Sequence, residues 1–92
     1  MVSRHIMVEG LVQGVGYRYA FSGQAQALGL TGWVRNRSDG RVEALVHGPQ
    51  PAIDTLLQWA RRGPPAARVS RVDVQDAPDA APAQHFAIAP TV

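Results

Sequence analysis

Two hydrophobic spacings follow one another along this chain, and their order predicts its secondary structure. Between Ser3 and Val12 apolar and polar residues alternate, which is the period of two that a half-buried strand shows. A glycine-rich break follows. An apolar stripe with steps of four, four and three then predicts an amphipathic helix, which Gly29 can end. The stripe consists of Tyr17, Phe21, Ala25 and Leu28.

The rest of the chain continues this succession of strands and helices. Further strands are predicted over residues 30–36, 41–47 and 67–74, with a short edge strand over residues 86–88. The turn Ser38-Asp39-Gly40 joins the second and third strands, and residues 76–84 form a Pro/Ala-rich loop. A second helix tolerates proline in its first turn and ends at Gly63-Pro64-Pro65. Its apolar positions are Ile53, Leu56, Leu57 and Ala60.

The order β-α-β-β-α-β predicts an α+β fold of the ferredoxin-like class, an antiparallel sheet with two helices on one face. Right-handed crossovers place the first and third strands at the centre and the second strand outside the third. The first and second strands then run the same way, two strand spacings or roughly 10 Å apart. We therefore expect the glycine-rich break, with Arg18, and the end of the second strand, at Asn36, to border one small site.

The stretch from Gly10 to Arg18, which reads Gly-Leu-Val-Gln-Gly-Val-Gly-Tyr-Arg, has the features of an anion-binding loop. Glycine tolerates the positive φ that turns neighbouring N–H groups toward one point. The following helix adds its free N–H groups and the positive end of its dipole. Arg18 supplies a planar charged fork that suits a phosphate or a carboxylate. The stretch is predicted to hold a small anion.

Composition narrows the class of protein further. The 92 residues are enough for one domain, 1–92, and a net charge of +2 is too mild to indicate nucleic acid. The lack of cysteine excludes a thiolate nucleophile and fits a reducing compartment. Because no apolar run predicts a membrane span or a secretion signal, we expect a cytoplasmic protein. The histidines and carboxylates show no ligand-like spacing, so no metal or other cofactor is expected.

Two separate signatures make the chain closely resemble the acylphosphatase family. The first is the stretch from Gly10 to Arg18. The second is Gly32-Trp33-Val34-Arg35-Asn36, followed at the family's spacing by Gly40, Val42 and Gly48. Two signatures in the right order, on the right predicted elements, are far more specific than one glycine motif. The resemblance runs from about Ile6 to Ile88. Arg37 departs from it, because a small hydroxyl residue is frequent there, and its charge could compensate for changes at Arg18 or Asn36.

The resemblance implies hydrolysis of a carboxyl–phosphate anhydride to a carboxylate and inorganic phosphate, without a metal. It implies that the Asn36 amide holds the attacking water. It also implies that backbone N–H groups and one guanidinium cradle the phosphoryl oxygens along the run Gly14, Val15, Gly16, Tyr17 and Arg18. An acyl phosphate has a good leaving group, so positioning water and stabilising phosphoryl charge would suffice. The expected partners are a small acyl phosphate and inorganic phosphate as product and inhibitor. We expect no nucleic-acid or membrane partner, and a monomer.

Two other classes of protein stay open at this point. One is a non-catalytic anion-binding or regulatory module of the same fold, such as the acylphosphatase-like domains inside hydrogenase-maturation carbamoyltransferases. The other is an RNA-binding domain, which shares the topology but needs aromatic residues on its central strands. The predicted outward face of the first strand offers only His5, Met7 and Glu9, and the third strand has no aromatic residue.

Without the shared sheet edge and the resemblance, Asn36 would be interpreted as an ordinary turn residue.

Overall fold

The predicted helices and strands are all present in the computed structural model, which describes residues 1–81 and 83–92. They are β1 (Val2–Leu11), α1 (Tyr17–Ala27), β2 (Thr31–Asn36), β3 (Val42–Gly48), α2 (Gln50–Arg62), β4 (Arg68–Asp76) and β5 (Phe86–Ile88). The fourth strand runs two residues further than predicted, because Asp76 still pairs with Arg4 of β1. The predicted loop over residues 76–84 therefore loses Asp76 to β4, and Pro82 of that loop lies outside the described residues.

The sheet has the ferredoxin-like arrangement. Its strand order is β4-β1-β3-β2-β5, so β1 and β3 are central and β2 lies outside β3, as predicted. The four long strands pair antiparallel, and β5 adds one parallel pairing with β2 at the edge. Since β1 and β2 both run antiparallel to β3, their carboxyl ends meet at one edge of the sheet. None of the helices described is long and apolar enough to cross a membrane.

The two helices pack on one face of the sheet through an aromatic cluster. The ring centroid of Tyr17 lies 5.5 Å from that of Trp59, and the rings of Phe21 and Phe86 are 6.0 Å apart. The buried Tyr17 hydroxyl donates a hydrogen bond of 2.8 Å to the carbonyl of Ala60 in α2. The residue four positions later is Pro64, which has no N–H to offer that carbonyl. Burial also raises the pKa of Tyr17 above its usual range. The first residue of α1 is thus anchored in the core.

The opposite face of the sheet centres on a buried carboxylate. Glu43 of β3 is 7% exposed, and its Oε2 lies 2.6 Å from Nε2 of His5. Its Oε1 accepts hydrogen bonds from Arg35 Nε at 2.8 Å and from Arg37 Nη1 at 2.9 Å. Burial acts to raise the pKa of Glu43, but the hydrogen bonds from His5, Arg35 and Arg37 outweigh it and lower the pKa from 4.5 to about 2. An ion cluster, rather than an aromatic stacking platform, therefore occupies the centre of this face.

Gly32 in β2 marks a close approach between strands. Its φ is +131°, and a Cβ added there would overlap the carbonyl oxygen of Leu45 in β3. A side chain at this position is excluded both by the backbone conformation and by the space. This glycine, part of the second signature, therefore lets β2 lie close against β3 in the strand that ends at Asn36.

Candidate active site

The loop between β1 and α1 adopts the conformation expected of an anion-binding loop. Gly14 and Gly16 have φ values of +74° and +79°, in the left-handed region that glycine tolerates. A Cβ added at either position would meet nothing within 4 Å. These positions therefore need glycine for its backbone conformation and not for lack of space.

The amino end of α1 follows this loop directly, with Gly16 at the N-cap position. No side chain caps the helix, and its first turn contains no acidic residue. The backbone bond from Ala20 N to the Gly16 carbonyl, 3.1 Å long, is the first rung of the helix. The N–H groups of Tyr17, Arg18 and Tyr19 precede that rung and have no partner within the helix. Together with the dipole, they favour an anion at this end.

A cavity of about 100 Å³ opens at this helix end. It is lined by Val12, Gln13, Gly14, Gly16, Tyr17, Arg18, Tyr19 and Asn36. A volume of this size suits a group of a few heavy atoms, since drug-sized ligands occupy cavities of roughly 300–1,000 Å³. Larger cavities lie elsewhere, such as an apolar groove of about 500 Å³ beside Trp59 and Pro64. The small cavity combines a helix N-terminus, a guanidinium and an amide.

The structure brings together nearly all of the residues predicted for the site. Gly14, Gly16, Tyr17, Arg18 and Asn36 line the one cavity. The exception is Val15, whose partly buried side chain packs against the hydrophobic core. Its side chain helps to anchor the loop, and its contribution to the cavity would have to come from its backbone N–H group. The shared sheet edge of β1 and β2 is what brings the two signatures face to face.

Arg18 is a half-buried arginine in the first turn of a helix, where its charge opposes the helix dipole. Within residues 1–81 and 83–92 no carboxylate forms an ion pair with it. Its guanidinium carbon lies 5.7 Å from the centroid of the Tyr19 ring. The charge is thus held at the cavity without a protein anion to neutralise it, which suits the binding of an anionic ligand.

Asn36 is the last residue of β2, and its side-chain oxygen is unusual. Oδ1 is buried and has no hydrogen-bond partner in the part of the chain that the structure describes. Leaving a buried acceptor unsatisfied costs about 1–3 kcal/mol. This oxygen itself is closed to solvent, but the residue lines the small cavity beside Arg18. The amide is therefore well suited to hold a water molecule beside the anion-binding loop.

Gln13 is a residue at the site that the sequence analysis did not single out. Its Nε2 donates hydrogen bonds to the carbonyls of Arg37, at 2.7 Å, and Arg41, at 2.9 Å. Nothing in the sequence distinguishes it from its neighbours in the first signature.

The side chain of Arg37, unlike its carbonyl, makes no hydrogen bond to Gln13. Its guanidinium binds Glu43 and lies 3.6 Å from an oxygen of Asp39. Its charge is therefore engaged on the open face of the sheet.

The structure defines a small α+β protein of the ferredoxin-like class, with a cavity at one edge of its sheet that a helix N-terminus and an arginine border. A family model described as acylphosphatase matches residues 4–88. Over 85 residues the chain is 55% identical to the acylphosphatase of Acidovorax sp. (strain JS42), covering 92% of this chain and 87% of that one. It superposes on the crystal structure of acylphosphatase from Bacillus subtilis with a TM-score of 0.93 and 37% identity, covering 97% and 99% of the two chains. The chain belongs to the acylphosphatase family.

A domain of a larger protein is also similar. The chain matches part of full-length HypF, solved in its phosphate- and nucleotide-bound form, with a TM-score of 0.87 and 27% identity. The match covers 98% of this chain but 12% of that one. By contrast, the acylphosphatases of Acidovorax and Bacillus subtilis are matched over most of their length. The likeness to stand-alone enzymes does not favour a regulatory module.

Proposed function

We propose that this chain hydrolyses the carboxyl–phosphate bond of acyl phosphates, with the small cavity as its active site. The observation that carries the proposal is the meeting of three groups at one cavity: the N–H groups at the start of α1, the guanidinium of Arg18, which pairs with no carboxylate among the described residues, and the side-chain amide of Asn36. The first two suit a phosphoryl group and the third suits a water molecule. Family membership supports the same reaction.

The phosphoryl group binds in the cradle formed by the backbone N–H groups from Gly14 to Arg18. Arg18 adds two parallel donors to the phosphoryl oxygens, which share the negative charge as the bond to the carboxyl oxygen stretches. These donors are already oriented, because Tyr17 is anchored in the core and Gly14 and Gly16 hold the loop. Oriented donors stabilise the transition state without reorganising during the reaction.

Asn36 holds the attacking water through its side-chain amide. The water oxygen forms the new bond to phosphorus while the bond between phosphorus and the carboxyl oxygen breaks. The electron pair of that bond leaves on the carboxylate, and both water protons end on inorganic phosphate. A carboxylate is a good leaving group, so positioning supplies most of what the reaction needs. No three His, Asp or Glu side chains of the described residues come together as ligands for a metal, and the proposed mechanism uses none.

We further propose that residues 1–92 act as one domain, as a cytoplasmic monomer, with inorganic phosphate as a competitive inhibitor. The inhibition follows from the cradle, which would make the same contacts to the product as to the substrate. The cytoplasmic location is supported by the lack of cysteine, which fits a reducing compartment. The mild net charge of +2 gives no reason to expect nucleic acid as a partner.

The decisive experiment is hydrolysis of benzoyl phosphate by the purified chain and by two variants. Asn36→Ala should lower kcat by about two to three orders of magnitude, the effect of losing one positioned polar group, while phosphate inhibition stays nearly intact. Arg18→Ala should weaken phosphate binding and slow turnover together, and Arg18→Lys should restore little, because an ammonium is not a planar fork. Arg61→Ala, in the last turn of α2, is the matched control and should behave as the wild type.

Three results would contradict this assignment. Phosphate binding without any turnover would indicate a regulatory module instead of an enzyme. Near-normal turnover in Asn36→Ala would place the water elsewhere. Loss of activity in a strong chelator, restored by added Mg²⁺, would overturn the metal-free mechanism. We expect activity to survive the chelator unchanged.

A further inference from the structure

The Gln13 side chain joins the two halves of the proposed active site. Gln13 immediately precedes Gly14, the first residue of the cradle. Both of its hydrogen bonds reach the turn between β2 and β3, at the carbonyls of Arg37 and Arg41. Arg37 is the residue after Asn36, and Arg41 is the residue before Val42, which pairs with Asn36 across the sheet. One amide group therefore connects the phosphoryl cradle to both ends of the turn that directly follows Asn36.

The turn does not need Gln13 to keep its shape. Its own backbone supplies a hydrogen bond of 2.8 Å from Arg37 N to the Arg41 carbonyl and another of 3.1 Å from Gly40 N to the Arg37 carbonyl. The carboxylate of Asp39 closes the turn further by accepting hydrogen bonds from Arg41. Gln13 adds a second donor to carbonyls that are already bonded. Its contribution is thus to fasten the turn to the cradle and not to build the turn.

We propose that Gln13 is a positioning residue that sets the distance between the phosphoryl group in the cradle and the water held by Asn36. This inference rests on the function proposed above. Attack at phosphorus requires the water in line with the bond that breaks, and a displacement of about 1 Å can cost about a hundredfold in rate. The strand that leads into the cradle, β1, and the strand that ends at Asn36, β2, are not neighbours in the sheet. The Gln13 amide supplies a hydrogen-bonded link from the end of β1 to the turn that follows β2.

The amide is the right group for this task, since its nitrogen carries two N–H donors and each can serve one carbonyl. Methionine has a similar length and no donor, so Gln13→Met removes both hydrogen bonds while keeping most of the volume. Glutamate has the same shape, but its carboxylate cannot donate and would face two carbonyl oxygens. Both variants therefore break the link, by different means, and leave the backbone N–H groups of the cradle in place.

The test measures kcat for benzoyl phosphate and the inhibition constant of inorganic phosphate in each variant. Gln13→Met and Gln13→Glu should lower kcat by about 10- to 100-fold, following the cost of a misplacement near 1 Å, while the phosphate inhibition constant changes by less than about threefold. Gln58→Met is the matched control. Gln58 is exposed on α2 and makes no side-chain hydrogen bond to any described residue, so this variant should match the wild type.

A double-mutant cycle with Asn36→Ala separates positioning from general support of the fold. If Gln13 acts through the water at Asn36, Gln13→Met should lower kcat by less than about threefold once Asn36 is already alanine. An undiminished effect in that background, or equal losses in kcat and phosphate binding, would show that Gln13 merely supports the cradle and would overturn the proposal. A wild-type kcat in Gln13→Met would do the same. If Gln13→Met does not fold, the same comparisons in Gln13→Glu decide.

The two proposals fail in different ways. A wild-type chain that does not hydrolyse benzoyl phosphate would overturn the proposed function and this inference with it. A wild-type chain that turns over, and loses activity in Asn36→Ala but not in the Gln13 variants, would overturn this inference alone.

Discussion

The buried carboxylate of Glu43 should make the stability of this protein depend on pH in the acid range. Glu43 is surrounded by His5 of β1, by Arg35 of β2 and by Arg37, which directly follows β2. The substitution Glu43→Gln keeps the shape of the side chain and removes its charge. In the folded protein the pKa of Glu43 is lowered from 4.5 to about 2, because the hydrogen bonds outweigh its burial.

The direction in which stability changes with pH follows from the lowered pKa of Glu43. The stabilisation is fully present above the unfolded pKa of 4.5, and it is lost as the pH falls through the folded pKa of about 2. With 1.36 kcal/mol for each pH unit between these values, the wild type should lose about 3 kcal/mol by pH 2 from this group. Glu43→Gln has no charge to titrate at this position, so it cannot lose this part of the free energy of unfolding. Above pH 5 it should be less stable by a similar or larger amount, since removing one partner of a buried ion cluster costs about 3–5 kcal/mol.

Urea unfolding followed by tryptophan fluorescence measures the free energy of unfolding at a series of pH values from 6 to 2.5. Trp33 and Trp59 report from the two faces of the sheet, one beside Arg35 at 4.5 Å and the other in the core. The difference between wild type and Glu43→Gln should narrow as the pH falls from about 5 toward 2. Carboxylates that share no partner with Glu43 are the same in both proteins, so their contributions cancel. Parallel curves over this range would refute the role assigned to the ion cluster.

Two further predictions concern stability and use the same urea assay. Gly32→Ala should destabilise the protein by about 3 kcal/mol or more, because it combines a strained backbone with overlap on the Leu45 carbonyl. Gly23→Ala, in a helix with open space around it, should instead stabilise by about 0.5–1 kcal/mol, and equal effects at the two glycines would contradict this interpretation. Tyr17→Phe should cost about 1–3 kcal/mol, because the Ala60 carbonyl loses its donor and Pro64 cannot replace it. An unchanged midpoint would mean that the carbonyl finds another partner.

Hydrophobic spacing was enough to predict the fold, because strands and helices of this size have strong and different periods. The prediction was wrong about where the fourth strand ends. Asp76 reads as the start of a loop, yet it belongs to β4 through its pairing with Arg4, a partner distant in the sequence. Strand ends are decided by such partners, and local pattern does not contain them.

The part of the candidate site that depends on topology and on the two signatures was predictable. Arg18 and Asn36 do line one cavity, because the carboxyl ends of β1 and β2 share an edge. The contribution of Gln13 was not predictable, since its two hydrogen bonds depend on where the turn at Arg37 and Arg41 lies in space. The pairing of Arg37 with Glu43 was hidden for the same reason. Side-chain partners across the sheet follow only from the register of the strands.

The cradle proposed between Gly14 and Arg18 consists largely of main-chain groups, so most of its donors do not depend on which side chains the loop carries. Peptide N–H groups do not titrate, so the affinity of the loop for an anion should vary with pH mainly through the ionisation of the anion itself. Nor can a substitution other than one to proline, which lacks an N–H group, delete these donors. It can only turn them, by changing the φ values at Gly14 and Gly16. Variation at Gly14 and Gly16 would therefore change the direction in which these N–H groups point, whereas variation at Arg18 would change which groups the cradle offers.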